Sequence, residues 1–319
     1  MAGRSSEDLG ACADAVARAV KGMDDLPESG PVFECLETAL RSVRVNLRGT
    51  PCATFALETA LLDLVSQRRG VSVAHCARRA DGPIVVALPT NGVLRCGQRT
   101  GAMRDARNLV ARGIRVIKWK WTPSECSVAA LSDVLRAVRG ECGQDVRFRI
   151  DANGAMSVDD ARRAMDTLAN TGLEYFEQPV RSADLSRLGE CAVPWAADEA
   201  LEDSQVAESV LALPGCAVAV LKPQFLGWSR AWDIASFARG LGRAVVVGHA
   251  FDGPVGLASA CELALALPGI DRASGLDRHA LLDAPPSIRV PQSSGDGFVR
   301  PSTMPGLGLS AADRSALRG

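Results

Sequence analysis

From about residue 83 onward, short apolar runs alternate with longer stretches whose apolar positions recur every three to four residues. The short runs are Pro83–Pro89, Val116–Trp121, Val146–Asp151, Leu173–Gln178, Val193–Asp198, Ala217–Lys222, Ala244–His249 and Arg272–Asp277. Each is bounded by Gly, Pro or polar residues, and the last has the weakest strand-forming composition. Near-continuous apolar runs are what strands buried on both faces require, so the pattern predicts a parallel sheet covered by helices. Helices are predicted over Ser157–Asn170, Trp228–Leu241 and Val255–Leu267; Ser157 followed by Asp160 reads as a helix-capping pattern. Eight strands with intervening helices predict an α/β chain folded as a (β/α)8 barrel of the TIM type. A doubly wound open sheet would use fewer strands and often a glycine-rich first turn, and no G-x-G-x-x-G follows the first run.

Residues 1–82 follow another pattern. Glu7–Lys21 and Thr54–Arg68 have helical spacing and Arg41–Leu47 is ambiguous, so a small, mainly helical capping unit is expected there. Residues 83–319 are expected to form the barrel, with the Pro/Gly/Ser-rich tail from Pro285 packing back over it. With 319 residues, 47% apolar and 23% charged, the chain can bury a sizeable core. The net charge of −1 offers no basic excess for nucleic acid or an anionic membrane. There is no run of 18 apolar residues, and MAGRSSEDLG has no apolar signal core, so no membrane span is expected. None of the ten cysteines forms C-x-x-C, and only three histidines accompany them. Reduced thiols in a cytoplasmic protein are expected rather than a zinc site. The sequence is compatible with a monomer or a homo-oligomer.

The chemistry is concentrated at the strand ends. Only Lys21, Lys118, Lys120 and Lys222 are lysine; the other 32 of the 36 basic residues are arginine. A lysine can exchange its proton and an arginine cannot, which singles out the three lysines near strand ends. Alternation puts Lys118 and Lys120 on one face, with Trp119 on the other. From Lys120 the spacings to Asp151, Glu177, Asp198 and Lys222 are 31, 26, 21 and 24 residues, one strand–helix unit each. Parallel barrel strands bring such ends to one mouth. One such aspartate is usually a cap or turn former; five polar residues in step are not. Three converging carboxylates repel unless a cation joins them, and all-oxygen ligands with room for water and substrate suit Mg²⁺, with Mn²⁺ as a substitute. A divalent ion flanked by lysines suits removal of a proton next to a carboxylate, and positive charge nearby is expected to lower the pKa of the lysine that acts as base. His249 after an apolar run reads equally as a core histidine or a site residue, Asn153 as a supporting or turn residue, and Trp119 and Trp121 as packing.

The segments Lys118-x-Lys120, RIDANGAMS from Arg149, FEQPV from Phe176, AADEAL from Ala196 and VLKPQFLGW from Val220 together resemble the enolase superfamily, specifically its muconate-lactonizing subgroup. The similarity spans about residues 5–285. Within the subgroup the short chain, Lys222-Pro223, GLD at Gly275–Asp277 and TNG at Thr90–Gly92 are most similar to the o-succinylbenzoate synthases. That resemblance implies Mg²⁺ ligands at Asp151, Glu177 and Asp198, a base at Lys120 and a charge-stabilising Lys222. It implies substrate contacts at Lys118, Gly248, His249 and Gly275, supported by Asn153 and Glu199. The implied partner is a small carboxylate, and the implied reaction is its syn dehydration to o-succinylbenzoate in menaquinone synthesis. Two alternatives fit the same residues: an N-acyl amino acid racemase or dipeptide epimerase, and an inactive or partner-dependent barrel. The last arises because about fifty N-terminal residues of a family capping domain are expected to be missing before Ser5. The strand-seven loop, Gly248–Pro254, also lacks the serine-rich turn common in the family.

Overall fold

A computed structural model describes residues 8–23, 30–41, 47, 49–78, 85–95, 99–203, 205–278, 288–293 and 295–317. After a short strand β1 (Leu88–Pro89) come seven parallel strands: β2 (Asn91–Arg95), β3 (Val116–Lys120), β4 (Arg147–Asp151), β5 (Leu173–Glu177), β6 (Trp195–Ala197), β7 (Cys216–Leu221) and β8 (Ala244–Val247). They pair strictly in chain order, and β9 (Phe298–Val299) pairs antiparallel with β1. Helices Arg99–Ala111, Val128–Cys142, Val158–Leu168, Trp228–Gly240 and Pro254–Ala266 lie between the strands in sequence. Ser157 caps the third of these, its Oγ accepting from the Asp160 amide at 3.2 Å. Trp119, Trp121, Phe148 and Phe176 are fully buried in the main hydrophobic core, while Tyr175, Val218, Val220 and Val246 form a second, smaller cluster.

Two strand predictions need correction. The first parallel strand is Asn91–Arg95, not Pro83–Pro89, of which residues 83–84 fall outside the described residues. The misleading feature is Gly92, which reads as part of a turn. It lies inside β2 because Leu109 of the following helix presses against it, so that a Cβ there would come within 2.6 Å of the leucine side chain. The second correction concerns Arg272–Asp277, which forms no regular strand. Its Ser274 and Gly275 instead make isolated parallel bridges to Thr90 and Gly248, linking β2 to β8 and closing the ring. The Asn91 amide donates to Ser274 O at 2.9 Å, and the Gly275 amide donates to Val247 O at 2.8 Å.

The N-terminal helices are Leu9–Gly22, Val32–Leu40, Pro51–Arg68 and Val73–Ala77. The ambiguous segment Arg41–Leu47 lies mostly outside the described residues. Buried Glu262, on the helix Pro254–Ala266, ties three parts of the chain together. Its carboxylate accepts from the Ala74 amide at 2.6 Å, Gln292 Nε2 at 2.7 Å and the Ser302 amide at 3.1 Å. Val290, Val299 and Leu307 of the C-terminal segment are buried rather than spread over the surface. Among the described residues, no helix is long and apolar enough to cross a membrane.

Candidate active site

Strand register sets the site. Lys120 of β3 pairs with Asp151 of β4, and Asp151 pairs with Glu177 of β5, so the three lie at one level. Asp198 and Lys222 directly follow β6 and β7. Asp151, Glu177 and Asp198 are each about 1% exposed, and each offers an oxygen within 4.8 Å of the other two. Two like charges that close cost about 3 kcal/mol at an effective dielectric near 20, so three mutual pairs rival the whole stability of a domain. Lysines oppose this. Lys118 Nζ lies 3.1 Å from Asp151 and 2.8 Å from Glu177, and Lys120 Nζ lies 3.2 Å from Asp151. Lys222 pairs with Asp198.

The electrostatics follow from this packing. Burial raises the Asp151 carboxyl, but Lys118, Lys120 and Lys222 outweigh it and hold the group below the usual range. For Glu177, burial and the charges of Asp151 and Asp198 outweigh Lys118, pushing it up to about 7. Burial works to lower Lys118, but Asp151, Glu177 and Asp198 raise it well above an ordinary amine. It therefore stays charged, the opposite of what a base requires. A buried, all-oxygen cluster whose members push one another's charge states apart fits a divalent cation, which these three residues would hold.

Backbone strain fixes the surroundings. Asn153 has φ 46° and Gln178 φ 38°, both in the left-handed region. Asn153 accepts from Lys120 Nζ at 3.1 Å and donates to Glu199 Oε1 at 2.8 Å, so both predicted supporting residues stand behind Lys120. Gln178, which the sequence reading left unassigned, accepts from the Asp198 amide at 3.0 Å and locks the turn that carries that carboxylate. Its signal was present in the run Glu177-Gln178-Pro179. Buried Arg149 was also missed. It donates to Asn91 Oδ1 at 3.0 Å and Ala273 O at 2.6 Å, and its guanidinium lies 4.7 Å from the Tyr175 ring centre.

A cavity of about 400 Å³ opens over these groups. Lys118, Lys120, Glu177, Lys222, Gly248, His249 and Gly275 all line it. Strands β3 and β7 are four positions apart around the ring, so Lys120 and Lys222 approach from opposite walls. His249 Nδ1 accepts from the Phe251 amide at 3.1 Å, and Phe251 holds a φ of 60°. Asp151, Asp198, Asn153 and Glu199 are not among the residues that line it.

Comparison with known proteins bears on this geometry. A family model described as enolase C-terminal domain-like matches residues 101–315. A hydrophobic dipeptide epimerase of Roseobacter litoralis is 30% identical over 81% of this chain and 73% of its own length. An o-succinylbenzoate synthase of Thermobifida fusca is 36% identical over 63% of this chain, and the match spans 63% of that protein. Among solved structures, muconate lactonizing enzyme from Pseudomonas putida aligns with a TM-score of 0.81 at 21% identity, over 99% of this chain and 87% of that one. A dipeptide epimerase from Methylococcus capsulatus, solved with a Mg ion, aligns with a TM-score of 0.79 at 25% identity, over 96% of this chain and 87% of that one.

Proposed function

This chain belongs to the enolase superfamily, and from that premise we propose that it is a Mg²⁺-dependent lyase with o-succinylbenzoate synthase activity. It would convert 2-succinyl-6-hydroxy-2,4-cyclohexadiene-1-carboxylate to o-succinylbenzoate and water, as a cytoplasmic enzyme of menaquinone synthesis. The observation that supports this most is the buried acidic triad set between Lys120 and Lys222. A divalent ion, Mg²⁺ or Mn²⁺, held by Asp151, Glu177 and Asp198 would supply positive charge to offset the extra negative charge that builds on the substrate carboxylate oxygens as the neighbouring carbon loses its proton.

The protein's own groups account for the rest. Lys120 takes the proton from the carbon next to the substrate carboxylate. Asn153 and Asp151 fix its amine by hydrogen bond and charge. Lys222, on the opposite wall, stabilises the negative charge left on the substrate without exchanging a proton. Lys120, now protonated, returns its proton to the departing hydroxyl on the same face, and water leaves as the ring becomes aromatic. Lys118 stays charged and neutralises Asp151 and Glu177.

The competing reading, dipeptide epimerisation, is favoured by the Roseobacter match and by the two lysines on opposite walls, which suit a two-base exchange. Purified protein with Mg²⁺ is expected to consume the dehydration substrate. Lys120→Ala is expected to cut kcat by about 10²–10⁴, the usual worth of a positioned proton acceptor. A Lys120→Ala variant with parental kcat would refute the assignment. Solvent deuterium entering a dipeptide faster than the dehydration proceeds would favour the competing reading.

A further inference from the structure

Among the described residues, three that are not glycine hold a left-handed φ: Asn153, Gln178 and Phe251. The first two stand beside Asp151 and Glu177, and each makes a hydrogen bond that supports the site. Phe251 differs in kind. Asparagine tolerates the left-handed region because its short polar side chain bonds locally, whereas a bulky phenylalanine there is an outlier. Glycine would fit the same backbone without the steric cost.

Phe251 lies in the loop between β8 and the helix Pro254–Ala266, which leaves the barrel on the wall that carries Lys222. Leu221 pairs with Val247, so Gly248 follows β8 at the level of Lys222; a Cβ on Gly248 would come within 3.9 Å of Lys222 Cε. Three residues farther along, Phe251 lines the same cavity as Lys222 and is 47% exposed. His249 ties it down. Its Nδ1 accepts from the Phe251 amide at 3.1 Å, and the two rings meet edge to face, 6.1 Å between centres and 88° between planes. With Nδ1 accepting, the neutral imidazole carries its proton on Nε2.

We propose that Phe251 is a specificity-determining residue whose ring packs against the ring of the substrate on the Lys222 side of the cavity. The left-handed turn, tied by His249, holds it there. A half-exposed aromatic side chain gains by covering an apolar body, and most by meeting another ring offset or edge-on. Strain kept at a bulky residue beside a site, where glycine would relieve it, points to a side chain that is used. This deepens the proposed dehydration and rests on it for the identity of the substrate ring.

The test separates the ring from the loop that carries it. With Mg²⁺ present, o-succinylbenzoate and the ring-free dicarboxylate adipate are titrated by calorimetry into the parent, Phe251→Ala, Phe251→Gly and Phe251→Tyr. Phe251→Ala is expected to weaken o-succinylbenzoate by about ten- to thirtyfold and adipate by less than about twofold. Phe251→Gly is expected to lose as much binding as Phe251→Ala while melting above it, because only the glycine relieves the backbone. Phe251→Tyr keeps a ring and is expected to bind within about threefold of the parent. In turnover the loss is expected mainly in KM. Equal weakening of both ligands, or of neither, would overturn the proposal, as would a parent protein that binds adipate as tightly as o-succinylbenzoate. So would a Phe251→Gly variant that binds o-succinylbenzoate like the parent, since the loop and not the ring would then set affinity. If o-succinylbenzoate binds in the expected pattern but no dehydration occurs, the ring contact stands and the reaction assignment falls.

Discussion

Glu58 is the perturbation we would make first away from the pocket. It lies on the helix Pro51–Arg68, is 3% exposed, and reaches across to the helix Trp228–Gly240. One oxygen accepts from the Trp228 amide at 2.5 Å and the Ser229 amide at 3.4 Å; the other accepts from Ser229 Oγ at 2.5 Å. That helix has no cap of its own, since Gly227 at its start has no side chain. A carboxylate from the N-terminal helices therefore closes a barrel helix that begins six residues after Lys222. Glu58→Ala strands three donors and removes a negative charge from a helix N-terminus. At roughly 1 kcal/mol for each unmet donor, the loss is about 3 kcal/mol, and somewhat more with the dipole included. For a chain of 319 residues that is a drop of about 4–5 °C in Tm. Glu58→Gln keeps an acceptor and is expected to lose about a third as much. Thermal and urea unfolding at pH 7 measure both, and kcat reports whether Lys222 moves with the helix. An alanine variant melting within about 1 °C of the parent would show that water replaces the carboxylate and that the two units are not coupled there.

Asp252 is buried, and burial pushes its carboxyl up to about 6. Its folded pKa is above the unfolded one, so the protonated form favours folding below about pH 4 and that contribution disappears as pH rises through 6, a change of about 3 kcal/mol. Asp252→Asn should flatten this part of the stability profile and melt higher than the parent at pH 7; urea midpoints from pH 4 to 8 that parallel the parent would contradict it. Removing divalent ions with a chelator should lower Tm, and titrating Mg²⁺ back should raise it by the equivalent of about 2.7 kcal/mol at a hundredfold excess over Kd. Glu177→Gln should lose that dependence, and a parent Tm insensitive to Mg²⁺ and Mn²⁺ would count against the triad as an ion site.

The strand ends were legible because chemistry and period coincide: Lys120, Asp151, Glu177, Asp198 and Lys222 fall one strand–helix unit apart, and the fold gathers them. Lys118 and Lys120 were legible as one face because a strand alternates, and buried Trp119 confirms the other face. What escaped has physical reasons. Gly92 looks like a turn because its role, making room for Leu109, is a long-range packing fact. The last ring position carries Ser274 and Gly275, whose pairing is supplied by neighbouring strands rather than by propensity. Gln178 and Arg149 act through partners twenty or more residues away, and no local pattern announces such bonds. Arg112 meets Asp277 across 165 positions of sequence, a pairing that no local pattern announces.

The closure at Ser274 and Gly275 gives the molecule an uneven seam. Elsewhere neighbouring staves are joined by runs of paired residues, whereas among the described residues β2 and β8 are linked through the Asn91, Ser274 and Gly275 amides and the Ser274 hydroxyl that accepts from Val247 N at 3.3 Å. Sub-global opening begins where the fewest bonds must break. Breathing of this wall would widen the chamber from the side of Gly248 and Gly275, giving a bulky ligand a second way in and out that leaves the opposite arc, with its buried acids, undisturbed.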